Sequence, residues 1–163
     1  MKRILFWVWP LLVALGLRGA NVDFQVAGET VTLGSRAATE VQVFWRGLRL
    51  NRATGLWNVD LVVRNAGAQA WTGPLVVRLE AFTETAGPGN ATGTDSGGRP
   101  YIDLTSRLTD NRLVAGAETR SVVVTFAGST RPPTLTGIAY SGPAVASPAA
   151  FVRTVDGAGL PLA

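Results

Sequence analysis

The chain has 163 residues, 47% hydrophobic and 16% charged, with 19 Gly, 9 Pro and neither Cys nor His. That length suits one domain with its own core. The missing Cys excludes disulfides and thiolate chemistry, and the missing His excludes a Ser-His-Asp relay and the commonest metal ligand. The formal net charge is +4, but Lys2, Arg3 and Arg18 supply three of those charges and leave +1 after residue 20. A nucleic-acid-binding face does not follow from that balance.

Lys2 and Arg3 precede an uncharged apolar run over residues 4–17, interrupted only by Pro10. About 20 apolar residues are needed to span a bilayer, so this run is short for a membrane helix. It fits the hydrophobic region of a secretory signal peptide, and residues 1–20 are read as one. Ala14 and Gly16 are small enough for cleavage while Arg18 is not, so the mature start is expected between Leu17 and Asn21. An uncleaved anchor is the alternative, and it is the one route to membrane contact.

From residue 21 onward helical periodicity is lacking. Short runs of Val, Leu, Thr, Phe and Trp alternate with Gly, Asn, Pro and Ser, which predicts strands over 22–26, 30–33, 40–50 and 56–64. Further strands are predicted over 75–82, 101–104, 119–126 and 135–140. In 56–64 the side chains of Trp57, Val59, Leu61 and Val63 share one face. In 75–82, Leu75, Val77 and Leu79 point inward, with Val76, Arg78 and Glu80 outward. Residues 51–55 form a hairpin loop in which Gly55 supplies a positive φ; Arg46 then faces Asp60 and Trp45 faces Leu61. Phe44 and Leu48 would share the Arg46 face, which calls for a bulge in that strand or a cover over it. Residues 65–67 and 72–74 are turns flanking Trp71, and 83–100 is a long polar loop rich in Gly. Residues 21–141 are the expected domain. Residues 142–163 are a Pro-, Ala- and Gly-rich tail, flexible or loosely docked, with one strand-like stretch at 151–155.

The order Asn51-Arg52-Ala53-Thr54-Gly55, Asn65-Ala66-Gly67, Thr72-Gly73-Pro74, Asn90-Ala91-Thr92-Gly93 and Leu113-Val114-Ala115-Gly116 carries a resemblance. Over residues 40–128 it resembles the immunoglobulin-like or fibronectin-III-like modules of bacterial secreted and surface proteins. The resemblance implies an all-β, immunoglobulin-like antiparallel sandwich of about seven strands. It also implies a structural, adhesive or spacer role without catalysis.

Trp45, Trp57 and Trp71 could stack on sugar rings, or fill the core with Trp71 plugging one end. Asp95 and Asp103, with Asn90, could hold calcium, although their spacing matches no calcium loop and suits ordinary turns equally. Arg46, Arg49, Arg52, Arg64 and Arg78 could line a face for an anionic polymer, or pair with Asp60 and Glu80. With no Lys after Lys2, a Ser-Lys dyad is also excluded from the mature chain. The expected contact residues are Trp45, Trp71, Asp95 and Tyr101, with no catalytic, metal or cofactor site.

The protein is thus expected to be secreted, periplasmic or at the cell surface, as a non-catalytic structural or interaction module. Its expected partner is a cell-envelope protein or polymer, or a second copy, and not nucleic acid. A surface-polysaccharide binder and a filament subunit assembling by strand addition are the alternatives. Mass spectrometry of the exported fraction should find a chain starting between Leu17 and Asn21; an intact Met1 form confined to the cytosol would contradict export.

Overall fold

A computed structural model describes residues 21–82, 87–127, 131–142 and 144–145. The expected signal segment and the 151–155 stretch lie outside them. The described strands are β1 (Asn21–Val26), β2 (Glu29–Ser35), β3 (Val41–Asn51), β4 (Leu56–Asn65), β5 (Ala70–Thr72) and β6 (Leu75–Phe82). They continue as β7 (Gly93–Thr94), β8 (Pro100–Asp103), β9 (Arg112–Leu113), β10 (Val122–Phe126), β11 (Leu135–Ser141) and β12 (Ala144–Val145). Among these residues the one helical element is a 3₁₀ turn, Thr105–Arg107. The fold is all-β, as expected.

The strands form a six-stranded sheet ordered β1-β2-β11-β6-β8-β7, a three-stranded sheet β10-β4-β3, and a small sheet β12-β5-β9. All the pairings are antiparallel, which is the arrangement that allows one buried and one wet face. The first two sheets pack face to face. Val59, Leu61, Val63, Val124 and Phe126 from the smaller meet Leu75, Val77, Leu79, Ile102 and Ala139 from the larger in one core. The inward assignments in β4 and β6 therefore hold.

The outward assignment for Val76 does not. Val76 is fully buried, together with Phe24, Val26, Leu33, Tyr101 and Tyr140, in a second core. The large sheet curls until β1 lies beside β7, where Ser96 N–H donates to the Asp23 carbonyl and the Tyr101 hydroxyl donates to the Gln25 carbonyl. The ring of Phe24 meets Tyr101 edge-on at 5.2 Å and Tyr140 at 5.1 Å, inside that curl. Alternation alone cannot show that an outer face is covered by another part of its own sheet. This near-closed sheet departs from the expected sandwich of about seven strands.

The β3–β4 register pairs Arg46 with Asp60 and Trp45 with Leu61, as expected. A bulge follows between Arg46 and Arg49, with Gly47 at φ 61°, and the loop keeps Gly55 at φ 69°. After the bulge Arg49 faces Asn58 and Leu50 faces Trp57. The extra residue thus moves Leu48 and Leu50 off the face of Phe44 and Arg46, which removes the conflict read from the sequence. It also redistributes the charges. Arg49 takes Asp60 at 3.0 Å, and Arg46 takes Glu118 at 2.8 Å while lying over the Phe44 ring.

Two segments are more ordered than expected. Within the 83–100 loop, Pro88 bridges to Phe126, β7 pairs with β8, and Asp95 organises a turn. The domain also continues past Ser141, since Ala144 and Val145 pair with Trp71 and Ala70. The boundary expected at 141 therefore falls inside a sheet. Val124 is completely buried between the two sheets; Val124→Ala should cost about 1–3 kcal/mol in chemical denaturation, from lost burial plus a cavity.

Candidate functional site

The four expected contact residues do not form one site. Trp71 is buried in β5 between Leu113 and Ala144, with the Arg36 guanidinium 5.3 Å over its ring. It plugs one end of the core and presents no face to a sugar. Trp57 is half-buried against the same core. Tyr101 is buried in the curl, and burial raises its phenol pKa despite the bond to Gln25. A ligand therefore cannot reach Trp71 or Tyr101. Trp45 differs, being half-buried at the side of the packed sheets where its indole lies against Gly137.

Asp95 and Tyr101 do share a neighbourhood. They flank Arg78, whose backbone pairs with Tyr101 and whose guanidinium donates to Asp95 and Glu80. Arg78 also lies 4.9 Å over the Tyr140 ring, and Arg99 closes the chain of charges on Glu80. Burial alone would raise the Asp95 carboxyl pKa. The Arg99 N–H, the Arg78 guanidinium and the Gly97 N–H outweigh it and hold the group below the usual carboxylate range. Two cations and two carboxylates satisfy one another here, so Asp95 ties the turn to β6 and leaves no charge for a ligand. Asp103 accepts the Thr105 N–H, and Asn90 is spent on Val123 and Thr125. The three candidate calcium ligands are thus separately engaged, and no cluster of three acidic, His or Cys side chains occurs among the described residues.

The arginines divide in the same way. Arg46, Arg49 and Arg78 have carboxylate partners, and Arg52 and Arg64 are exposed. A cleft of about 420 Å³ at one end of the packed sheets is lined by Arg107, Arg112, Asp110 and Glu118. Its mixed signs select no single ligand charge.

What remains is the open side between β3 and β11. Strand β3 pairs with β4 alone, so among the described residues its other edge has no strand partner. Strand β11 pairs with β6 throughout, but with β2 only at Tyr140 and Ser141, with Arg36 N–H adding one bond to Ala139. A groove of about 370 Å³ runs between them, lined by Arg36, Ala38, Val41, Val43, Ile138 and Ala139. Val41, Val43 and Trp45 are half-buried there, and Leu48 and Leu50 are exposed, whereas Val59 and Val124 on neighbouring strands are fully covered. The larger sheet supplies β11 opposite Val41, Val43 and Trp45, with the Trp45 indole against Gly137, while Leu48 and Leu50 are exposed. This surface combines an unpaired edge with an apolar strip, and sequence reasoning saw neither because both depend on where the second sheet stops.

No family model, curated protein or solved structure matches the chain.

Because the Asp95 carboxyl is held low in the folded state, its stabilisation is present above about pH 4 and fades as the pH falls below that ordinary aspartate range. Asp95→Asn should cost about 1–3 kcal/mol at pH 7 in urea denaturation, and the gap to wild type should narrow at pH 3.

Proposed function

We propose that the protein is an exported, non-catalytic module that docks a cell-envelope protein or polymer through the open β3 side. The observation carrying this reading is the unpaired β3 edge beside the apolar strip Val41, Val43, Trp45, Leu48 and Leu50. An edge of this kind accepts an added strand, and the alternate side-chain positions give the contact its specificity. The absence of His, Cys and any Lys after Lys2 supports a role without catalysis, since those groups activate most nucleophiles near neutral pH. The immunoglobulin-like reading belongs to the same proposal: two face-to-face antiparallel sheets favour it, and the curl of the larger one is a departure. Export rests on Lys2, Arg3 and the apolar run that follows. Strand addition between copies is the form this docking takes if the partner is the chain itself.

A photoreactive residue at Gln42 on β3 should crosslink to an envelope component in intact cells. The same group at Val123 on β10 should not, because Asn90 and Gly89 already cap that edge. Equal crosslinking at both positions, or none at Gln42, overturns the docking surface. Turnover of a glycan, peptide or ester by the purified protein, abolished by one acidic substitution without unfolding, overturns the non-catalytic reading.

A further inference from the structure

We infer that the groove beside Val41 and Val43 seats the C-terminal residue of a partner polypeptide, its carboxylate on the Arg36 guanidinium and its apolar side chain between β3 and β11. The inference rests on the open β3 side being the docking surface, and it names the chemical group that anchors a partner there.

Arg36 carries the inference. Arg46, Arg49, Arg78 and Arg99 each have a carboxylate partner. Arg36 is half-buried and lines the groove, yet it has no ion-pair partner among the described residues. Its Nε and one terminal nitrogen donate to neutral acceptors, the Ser141 hydroxyl and the Gly142 carbonyl, and its guanidinium lies over the Trp71 ring. The other terminal nitrogen has no acceptor among the described residues. Burial lowers its pKa, and the nearby Glu40 charge does not offset that. A guanidinium withdrawn from water without a countercharge is costly, and an incoming anion relieves the cost. A carboxylate matches its planar fork.

Shape and backbone decide what carries that anion. The groove holds about 370 Å³, with Val41 and Val43 on one side and Gly137, Ile138 and Ala139 on the other. Beyond Val43 the Trp45 indole lies against Gly137 and ends it. That volume is near the lower end for ligand sites, about 300–1,000 Å³, and suits one side chain rather than a strand laid between β3 and β11. Backbone groups serve the rest of the partner. The Val63 N–H donates to the Thr119 hydroxyl and the Val63 carbonyl accepts from the Thr119 N–H, so both point away from β3. The N–H and C=O of Val43, its partner on β3, therefore point to the free edge. At the Val41 end the turn over 37–40 crosses this edge, closed by the Glu40 and Val41 N–H groups on the Ala37 carbonyl. An added chain must stop there, next to Arg36, which a C-terminus can do and a continuing chain cannot. Its preceding residues then continue the β3 sheet in the antiparallel sense, toward the exposed Leu48 and Leu50.

Amide NMR of the full chain, titrated with acetylated tetrapeptides that end in Ala, Val, Leu, Ile or Phe, tests this. At least one peptide with a free carboxylate should shift the Val43 and Gly137 amides and leave Val59 and Val124 in place. Its C-terminal amide should bind about tenfold or more weakly, and Arg36→Gln should lose a similar factor. Because Arg36 also ties the turn after β11, Ala38→Asp is the second variant. Ala38 is exposed and lines the same groove, so the new carboxylate competes for Arg36 without entering the core. No shift at Val43 and Gly137 with any free-acid peptide overturns the inference. Equal affinity of acid and amide forms, or undiminished binding by Ala38→Asp, does the same. Hexanoate binding as tightly as the peptides assigns the groove to free aliphatic carboxylates and also overturns it. If Gln42 crosslinks in cells and no acid binds, only the carboxylate anchor falls; if acids bind without those crosslinks, only the docking proposal falls.

Discussion

Strand β6 places Leu75, Val76 and Val77 in succession, and all three are buried. Alternation sends neighbours to opposite faces, so both faces of the sheet at β6 must be covered. The three-stranded sheet covers one face. The other is covered by the sheet's own margins, because β1 and β2 swing round until Phe24 sits against Tyr101 and Tyr140. Burying that second face is what bends the sheet. β2 pairs with β11 only at Tyr140 and Ser141, and the segment leading to β3 is held by Arg36 to Ala139 and by the Glu40 carbonyl, which accepts from the Ala66 and Gly67 N–H groups.

The exposed edges follow from this geometry. The edges of β1 and β7 meet and hold each other through Ser96 and Tyr101. The β10 edge is closed by Pro88, Gly89 and Asn90, with the Asn90 amide standing in for a strand backbone toward Val123 and Thr125. Proteins commonly blunt free edges in such ways, because unpaired N–H and C=O groups recruit other chains. β3 is eleven residues long, and its free edge carries a bulge at Gly47 but no covering segment among the described residues. Its arginines supply some charge, yet both are neutralised by carboxylates of the same chain.

The charges point away from ligand chemistry. Arg78, Glu80, Asp95 and Arg99 form a satisfied network at the mouth of the curl, pinning the turn after β7 to the central strand. Interactions of this sort reward one arrangement of the chain and leave the broken one with a buried, unpaired charge. They act on the fold. In the proposed docking, recognition falls to backbone groups and to the apolar strip on β3.

Strand positions, the Arg46–Asp60 and Trp45–Leu61 register, the turn at Gly55 and the inward residues of β4 and β6 were legible in the sequence. Each depends on neighbours a few residues away and on a period of two, which a linear reading contains. The burial of Val76, Tyr101 and Asp95, the roles of Trp71 and Asn90, and the transfer of Arg46 from Asp60 to Glu118 were not. They depend on which distant strands meet, and on a single bulge that shifts side chains between faces. Local pattern therefore determined where the strands run and which side of each is apolar. Tertiary packing alone decided which apolar sides are covered, and so which edge stays open.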